Sequence, residues 1–146
     1  MMTQMMTQVT NSIFEVMETM FFLTLEKQKQ PVPDPMALDR IKTAAITFSG
    51  EFSGTIFLGI PEPLLRTMTE NLMGEDIETL TPDHVDGTLK EALNMIAGST
   101  LTRVDDKAYM GLGIPEVVSP PAPDDIDDTV ILSTSQDLLV AHVKLN

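Results

Sequence analysis

The residues best suited to chemistry in this sequence lie between positions 87 and 98. Glu91 and Asn94 are about one turn apart in a segment with helical periodicity, and Gly87 and Gly98 lie one turn to either side of them. At about 100° per residue, all four fall within an arc of about 60°, nearly opposite the apolar side of the segment. A carboxylate and a carboxamide would therefore project together from a solvent-facing helix surface. This arrangement predicts polar contacts with another molecule, and an ordinary solvated helix face is the alternative.

Two glycines on one face of a helix call for an explanation, because each costs roughly 1 kcal/mol relative to alanine. Gly87 and Gly98 share the face of Glu91 and Asn94. One explanation is that the backbone of another molecule approaches this face closely. The other is that Gly87 only loosens the first turn of the helix.

The remaining candidates for chemistry are weak. His84 and His142 are the only histidines, and their separation matches no metal-binding spacing. No Gly-rich phosphate loop and no serine nucleophile elbow is present. The acidic run between Asp124 and Asp128 lacks the Gly and Glu positions of a calcium-binding loop, so it reads as solvated. We therefore expect no metal site in this chain.

Composition narrows the classes of function further. The 146 residues include 9 Lys plus Arg and 22 Asp plus Glu, for a net charge of −13. This charge repels phosphate backbones and anionic membranes, which argues against binding nucleic acid or membranes. The chain has no Cys, which excludes disulfides, thiolate zinc ligands and Cys nucleophiles. We expect one cytoplasmic domain over residues 1–146, since no basic residue precedes Lys27 as in a signal peptide.

Local patterns predict three helices and two hairpins. The first helix should run from Met5 to Lys29, a short one should follow Pro61 and end at Gly74, and a third should run from Thr81-Pro82-Asp83 to Val104. Alternating residues from Ala44 to Ile60 predict a hairpin around Ser49-Gly50-Glu51, and a second hairpin should comprise 129–133 and 138–145. A strand is expected at 116–119, and a turn at 110–113.

Helical spacing also predicts which side chains are buried. The predicted stripes are Met6, Val9, Ile13, Val16, Met17 and Met20 on the first helix, Leu64, Leu65, Met68 and Leu72 on the second, and Val85, Leu89, Ala92, Leu93, Ile96, Thr100 and Val104 on the third.

A long helix followed by a hairpin occurs twice, which predicts an α+β fold. Its antiparallel sheet would be built from two hairpins, with the long helices packed on it in pseudo-duplicated halves. Spacing pairs Asn11, Glu15 and Glu18 of the first helix with Gly87, Glu91 and Asn94 of the third. The first helix would then be a silent counterpart, because Glu18 carries a charged carboxylate where Asn94 has a neutral amide. The alternative is that Asn11, Glu15 and Glu18 form an ordinary solvated helix face.

The segment from Glu91 to Gly98, EALNMIAG, resembles the central helix motif of the CheX/CheC/FliY family of chemotaxis phosphatases. That motif has an acidic or Ser residue, then Glu four positions later, Asn three positions after the Glu, and a Pro further on. The hairpin segment 46–58, residues 72–75 and the segment 113–118 also resemble CheX, and the likeness spans roughly residues 8–145. Gly87 stands where the family has the acidic or Ser residue.

The resemblance implies a hydrolase that removes the aspartyl phosphate of a CheY-like response regulator. Asn94 would position the attacking water, and Glu91 would pair with the regulator's active-site Lys. Gly87 and Gly98 would contact the partner. The chain itself would need no cofactor, because Mg²⁺ is expected on the partner regulator.

The resemblance also implies a homodimer, for which the apolar strand Leu138–Leu145 is a candidate sheet edge. The alternative function is a non-catalytic module of the same fold that binds a response regulator or a flagellar switch component.

Overall fold

Three helices cover one face of a seven-stranded antiparallel sheet in the computed structural model, which describes residues 2–27, 40–74, 80–104, 111–135 and 137–146. The helices are α1 (Met2–Phe21), α2 (Glu62–Met73) and α3 (Pro82–Val104). The strands are β1 (Glu26–Lys27), β2 (Ile41–Ser49), β3 (Gly54–Pro61), β4 (Gly111–Leu112), β5 (Glu116–Val118), β6 (Asp128–Ser133) and β7 (Leu138–Leu145). The predicted α+β class is confirmed.

Helix α1 ends eight residues before the predicted Lys29, and residues 28 and 29 lie outside the described chain. Phe22 adopts a left-handed conformation with φ of 57°. The Leu23 N–H donates to the Met17 carbonyl at 3.0 Å, and Asn71 Nδ2 of α2 donates to the Phe21 carbonyl at 2.7 Å. The sequence has neither Gly nor Pro at this end of the helix. The contact from Asn71 therefore helps to determine where α1 ends.

Most predicted stripe residues are buried, but Met20 and Leu72 are each 39% exposed. Both lie near the C-terminal end of a helix. Near the same helix ends, Phe21 of α1 is buried in place of Met20, and Thr69 of α2 is buried in place of Leu72. Helical phase gives the direction of a side chain but not whether another element covers it.

The strand order is β1-β6-β7-β3-β2-β4, with β5 pairing beside β4 on β2. Strand β7 lies between β6 and β3, so the expectation that Leu138–Leu145 is a sheet edge was wrong.

The loop of the first hairpin is longer than predicted, because Phe48 pairs with Gly54 and not with Phe52. Phe52 lies in the loop and packs edge-on against Phe48, with ring centroids 6.2 Å apart.

Residues Gly111–Leu112 form a short strand, which corrects the predicted turn at 110–113; Met110 lies outside the described residues. Two-residue β4 pairs with Phe48 and Ser49 at the end of β2. The predicted strand near 116–119 is confirmed as β5, which pairs with residues 43–45 of β2. The turn prediction failed because the edge of β2 offers the pairing partner, and that edge is not visible in the local sequence.

The strand pairing shows that the two halves are related. Strand β2 corresponds to β6 at an offset of 84 residues (Phe48 to Leu132), and β3 to β7 at an offset of 85 (Gly54 to Leu139). With these offsets the pair Phe48↔Gly54 becomes Leu132↔Leu139, and the other pairs of the two hairpins match in the same way. The predicted helix–hairpin duplication is confirmed.

The short strands follow the same relation, and the buried faces of the two long helices share one helical phase. Strand β1 pairs with the end of β6 as β4 pairs with the end of β2. At an offset of 80, seven buried residues of α1 fall on seven buried residues of α3: Met5, Val9, Ser12, Ile13, Val16, Met17 and Phe21 on Val85, Leu89, Ala92, Leu93, Ile96, Ala97 and Leu101. Offsets of 76 and 84 each bring six buried pairs together.

These offsets differ from one another by about one helical turn, so they share the same helical phase. The predicted correspondence of Glu15 and Glu18 with Glu91 and Asn94 has an offset of 76 and agrees with this phase. It stays a prediction.

Candidate functional site

Helix α3 begins with a reciprocal cap that involves His84. Thr81 Oγ1 accepts the His84 N–H at 3.2 Å, and His84 Nδ1 accepts the Thr81 N–H at 3.3 Å. A cap of this type satisfies backbone donors that the first turn of a helix leaves free. His84 therefore has a structural part in starting α3 where the sequence predicted.

The buried side of α3 determines which residues face outward. Its buried residues are Val85, Thr88, Leu89, Ala92, Leu93, Ile96, Ala97, Thr100 and Leu101. Gly87, Glu91 and Asn94 are exposed on the opposite side, and Gly98 is half-buried. The structure thus brings all four predicted site residues to one face, which we call the α3 site.

Contacts on both flanks hold α3 in this orientation. On the α1 side, Ser12 and Ser99 are joined by a hydrogen bond between their Oγ atoms at 3.2 Å, and Glu15 forms an ion pair with Arg103. On the β2 side, Lys42 Nζ lies 2.6 Å from Asp86 Oδ1. Rotation of α3 about its axis would break contacts on both flanks, so the α3 site is presented in one orientation.

Gly87 stands where the family motif has an acidic or Ser residue, and the neighbouring Asp86 does not supply the missing carboxylate. Its carboxylate is paired with Lys42, and both side chains are partly buried. A Cβ added at Gly87 would meet no described atom within 4 Å. The helix at Gly87 is therefore open to close approach by another molecule.

Glu91 and Asn94 make no hydrogen bond or ion pair with any other described residue. Their polar groups are thus available to an outside partner. The carboxylate can accept hydrogen bonds from a cation, and the carboxamide can both donate and accept. Because they project from an exposed helix face, the pair suits contact with a folded partner.

Apolar residues of β4 and β5 border the α3 site on one side. Leu112 Cδ1 lies 3.9 Å from the position of a Cβ at Gly98. Leu112 is opposite Phe48 and Val117 is opposite Ala44 in the sheet, so both face the helix side. Sequence analysis missed this border. The available signal was the apolar Leu112 in the predicted turn, Ile114 just after it and Val117 in the predicted strand.

Two titratable groups away from the α3 site have shifted pKa values. The pKa of Asp127 is lowered, first by the hydrogen bond it accepts from the Leu145 N–H and also by Lys144. Burial lowers the pKa of His142, whose Nδ1 lies 2.8 Å from Thr129 Oγ1 on the sheet face away from the helices. Neither group contacts α3.

Within the described ranges, no cluster of three or more His, Cys, Asp or Glu residues could hold a metal ion. None of the helices described combines the length and apolar character needed to cross a bilayer.

A cavity of about 490 Å³ lies along α1, lined by residues that include Thr7, Thr10 and Lys27. It is therefore on the half of the molecule that lacks the Glu–Asn pair.

The sequence profile described as Chemotaxis phosphatase CheX matches residues 42–128, more than half of the chain. This segment includes the whole α3 site. Among curated proteins no sequence matches the chain.

Solved structures share the whole fold at low identity. The chemotaxis protein CheX from Vibrio vulnificus is 18% identical with a TM-score of 0.78, covering 97% of this chain and 99% of that one. A CheC-like superfamily protein from Shewanella sp. PV-4 is 19% identical with a TM-score of 0.77, covering 98% and 97%. A chain of the CheX–CheY–BeF₃–Mg²⁺ complex from Borrelia burgdorferi is 16% identical with a TM-score of 0.72, covering 97% of each.

Proposed function

The chain belongs to the chemotaxis phosphatase CheX family, and we propose that it hydrolyses the aspartyl phosphate of a CheY-like response regulator. Water attacks the phosphorus, the bond between phosphorus and the aspartyl oxygen breaks, and inorganic phosphate and a free carboxylate result. The complex of CheX with CheY from Borrelia burgdorferi supports a regulator of this class as the partner.

Asn94 positions the attacking water in this proposal. An acyl phosphate is already activated, so placing a water in line with the leaving oxygen is the main task left to the phosphatase. The carboxamide of Asn94 is neutral and can orient a water without repelling the phosphoryl group. Its exposure and lack of partners within the described chain support this role.

Glu91 docks the regulator by pairing with the Lys of the regulator's active site. A carboxylate close to a phosphoryl group is unfavourable unless a cation lies between them. A charge-assisted hydrogen bond to Lys resolves this conflict and sets the orientation of the complex. Because Glu91 and Asn94 project from one rigid helix, docking through Glu91 also places Asn94.

Gly87 and Gly98 allow the regulator to come close to the α3 backbone. Open space above Gly87 supports this role. The proposed chemistry needs Mg²⁺, which the regulator binds with its own carboxylates, so this chain contributes no metal ligand. The cavity along α1 has no part in the reaction.

The observation that carries the proposal is the joint exposure of Glu91 and Asn94 on a helix held from both flanks. The test is to add the protein at one-hundredth of the concentration of phosphorylated regulator and follow the loss of phosphoryl groups. We expect each protein molecule to remove many of them. If each protein molecule removes only one phosphoryl group, or if the phosphate lifetime becomes longer, the enzymatic function would be falsified. Either result would favour a non-catalytic binding module. Gly87, at the position where the motif has an acidic or Ser residue, is the feature that favours this alternative.

We also propose that the protein forms a homodimer. Its free sheet edges are those of β1 on one side and β4 with β5 on the other, within the described chain. Unpaired edges are common sites of association. Sedimentation at micromolar concentration should give twice the chain mass of 16.0 kDa, and a single species of 16.0 kDa would reject the dimer.

A further inference from the structure

We propose that Leu112, Ile114 and Val117 form an apolar ridge that docks the response regulator beside the Glu–Asn pair. The inference rests on the proposed function and names a second part of the same binding surface. Ile114 is 83% exposed, more than any other large hydrophobic side chain in the described residues. Leu112 and Val117 are 38% and 41% exposed. All three lie within six consecutive residues at the sheet edge next to α3, and exposed apolar groups clustered in this way mark interaction surfaces.

Continuity with the α3 site argues for the regulator as the occupant. Leu112 lies against the position of Gly98, which follows Asn94 by one helical turn. The cross-strand partners of Leu112 and Val117, Phe48 and Ala44, are buried under the helices, so both residues lie on the helix side of the sheet. A folded partner that brings a phosphoryl group to Asn94 therefore extends over this ridge.

The segment that carries Ile114 is held in place. The Gly113 N–H donates to the Thr47 carbonyl at 2.8 Å, and a Cβ at Gly113 would collide with the Thr47 side chain. Pro115 restricts Ile114 to extended backbone conformations. An anchor that is already ordered loses less conformational entropy on binding than a flexible one.

The other half of the molecule supports the assignment by contrast. Strand β1 pairs with β6 as β4 pairs with β2, and Lys27 occupies the position related to Leu112. Helix α1 has no Glu followed three positions later by Asn, as Glu91 is by Asn94 in α3. An apolar residue on the short strand is thus found beside the helix that has the Glu–Asn pair, and a charged residue is found beside the helix that lacks it.

The ridge also supplies binding that the polar pair cannot. Charged contacts at an interface determine much of its orientation and association rate, whereas side chains that are fully desolvated near its centre add affinity. A protein that must release the regulator after each turnover needs an anchor of limited size, and three partly exposed side chains provide one.

The test compares Ile114→Ser with Phe22→Ser. Phe22 is 74% exposed and lies on the α1–α2 side, since Asn71 of α2 binds the carbonyl of the preceding residue. Both variants should fold, because neither side chain belongs to the core. The probe is a CheY-like regulator held in its phosphorylated form by beryllofluoride and Mg²⁺, and Kd is measured by titration.

We expect Ile114→Ser to raise Kd about tenfold and to leave kcat within about twofold, as the loss of an apolar anchor does. Phe22→Ser should leave both unchanged. Unchanged affinity in Ile114→Ser, or equal weakening in both variants, would overturn the ridge. Loss of self-association with unchanged regulator affinity would assign the ridge to contact between copies and also overturn the proposal.

Failure of the ridge and failure of the phosphatase give different results. If the protein binds the regulator tightly without turnover, and Ile114→Ser weakens that binding, the phosphatase proposal is rejected and the ridge proposal is retained. Rapid turnover with unchanged Kd in Ile114→Ser would retain the enzyme and reject the ridge. An unmodified protein that binds no regulator of this class would reject both.

Discussion

Helices α1 and α3 occupy related places on the sheet but carry different surfaces. Buried residues of α1 and α3 recur at the same helical phase, so both helices contribute the same kind of apolar face to the core. On its outer face α3 exposes Glu91 and Asn94, whereas α1 carries Thr7 and Thr10, which line the cavity along it. The hydroxyls of these threonines donate to the backbone carbonyls of Thr3 and Met6, one turn earlier.

The difference separates what folding requires from what chemistry requires. Packing on the sheet constrains the buried residues of both helices, because a mismatch there leaves a cavity or a clash. It does not constrain the outer face, where α3 keeps two unpartnered polar groups and two helix-weakening glycines. One half thus serves as scaffold, and the other carries the proposed site.

The largest expected effect comes from Asn94→Ala. Loss of the group that orients the water should slow single-turnover dephosphorylation by about 100-fold or more at saturating protein. Regulator affinity should change little, because the contribution is made in the transition state. The control variant Thr10→Ala, on helix α1 and away from the α3 site, should keep the normal rate. A normal rate in Asn94→Ala would show that Asn94 does not position the water and that α3 has no catalytic role that α1 lacks.

Glu91→Gln should weaken both regulator binding and turnover. Truncating one partner of a desolvated charge pair typically costs about 2–5 kcal/mol, much of it from the unpaired charge that remains. Titration with activated regulator measures the loss, and Thr7→Ala on α1 is the control. Unchanged affinity in Glu91→Gln would argue against a lysine partner for Glu91.

Gly87→Ala should have opposite effects on stability and binding. Alanine should raise the free energy of unfolding by roughly 1 kcal/mol, because Gly87 lies in a helix and its Cβ position is open. It should weaken regulator binding if the partner's backbone approaches there. Urea denaturation and titration give the two values, and Thr3→Ala, at an exposed position of α1, is the control. A variant that gains stability and keeps full affinity would show that nothing docks at Gly87.

The smallest effect is expected from Glu15→Ala combined with Glu18→Ala. The phosphatase rate should stay the same, because Glu18 presents a carboxylate and not the neutral amide that orients the water. Stability should fall by no more than about 1 kcal/mol, since the Glu15–Arg103 pair is partly exposed to solvent. A large loss of rate at unchanged stability would mean that α1 takes part in catalysis and that the site is not confined to α3.

Features with a local cause were predictable from the sequence. The start of α3 follows from its cap, and its outward arc follows from the 3.6-residue period, so the sequence was enough to place Glu91 beside Asn94. The inward alternation of β2 and β3 follows from the two-residue period of a strand. The roles of these residues, by contrast, came from the family resemblance and not from spacing, which also fits a solvated helix face.

Features that depend on distant neighbours were decided only by the tertiary structure. Asn71 caps the end of α1 from another helix, and the pairing of β7 on both sides removes it from the sheet edge. The relation between the two hairpins comes from strand pairing across the sheet, which joins strands that are far apart in the sequence. The position of Leu112 beside Gly98 likewise requires two segments that meet only when the chain is folded.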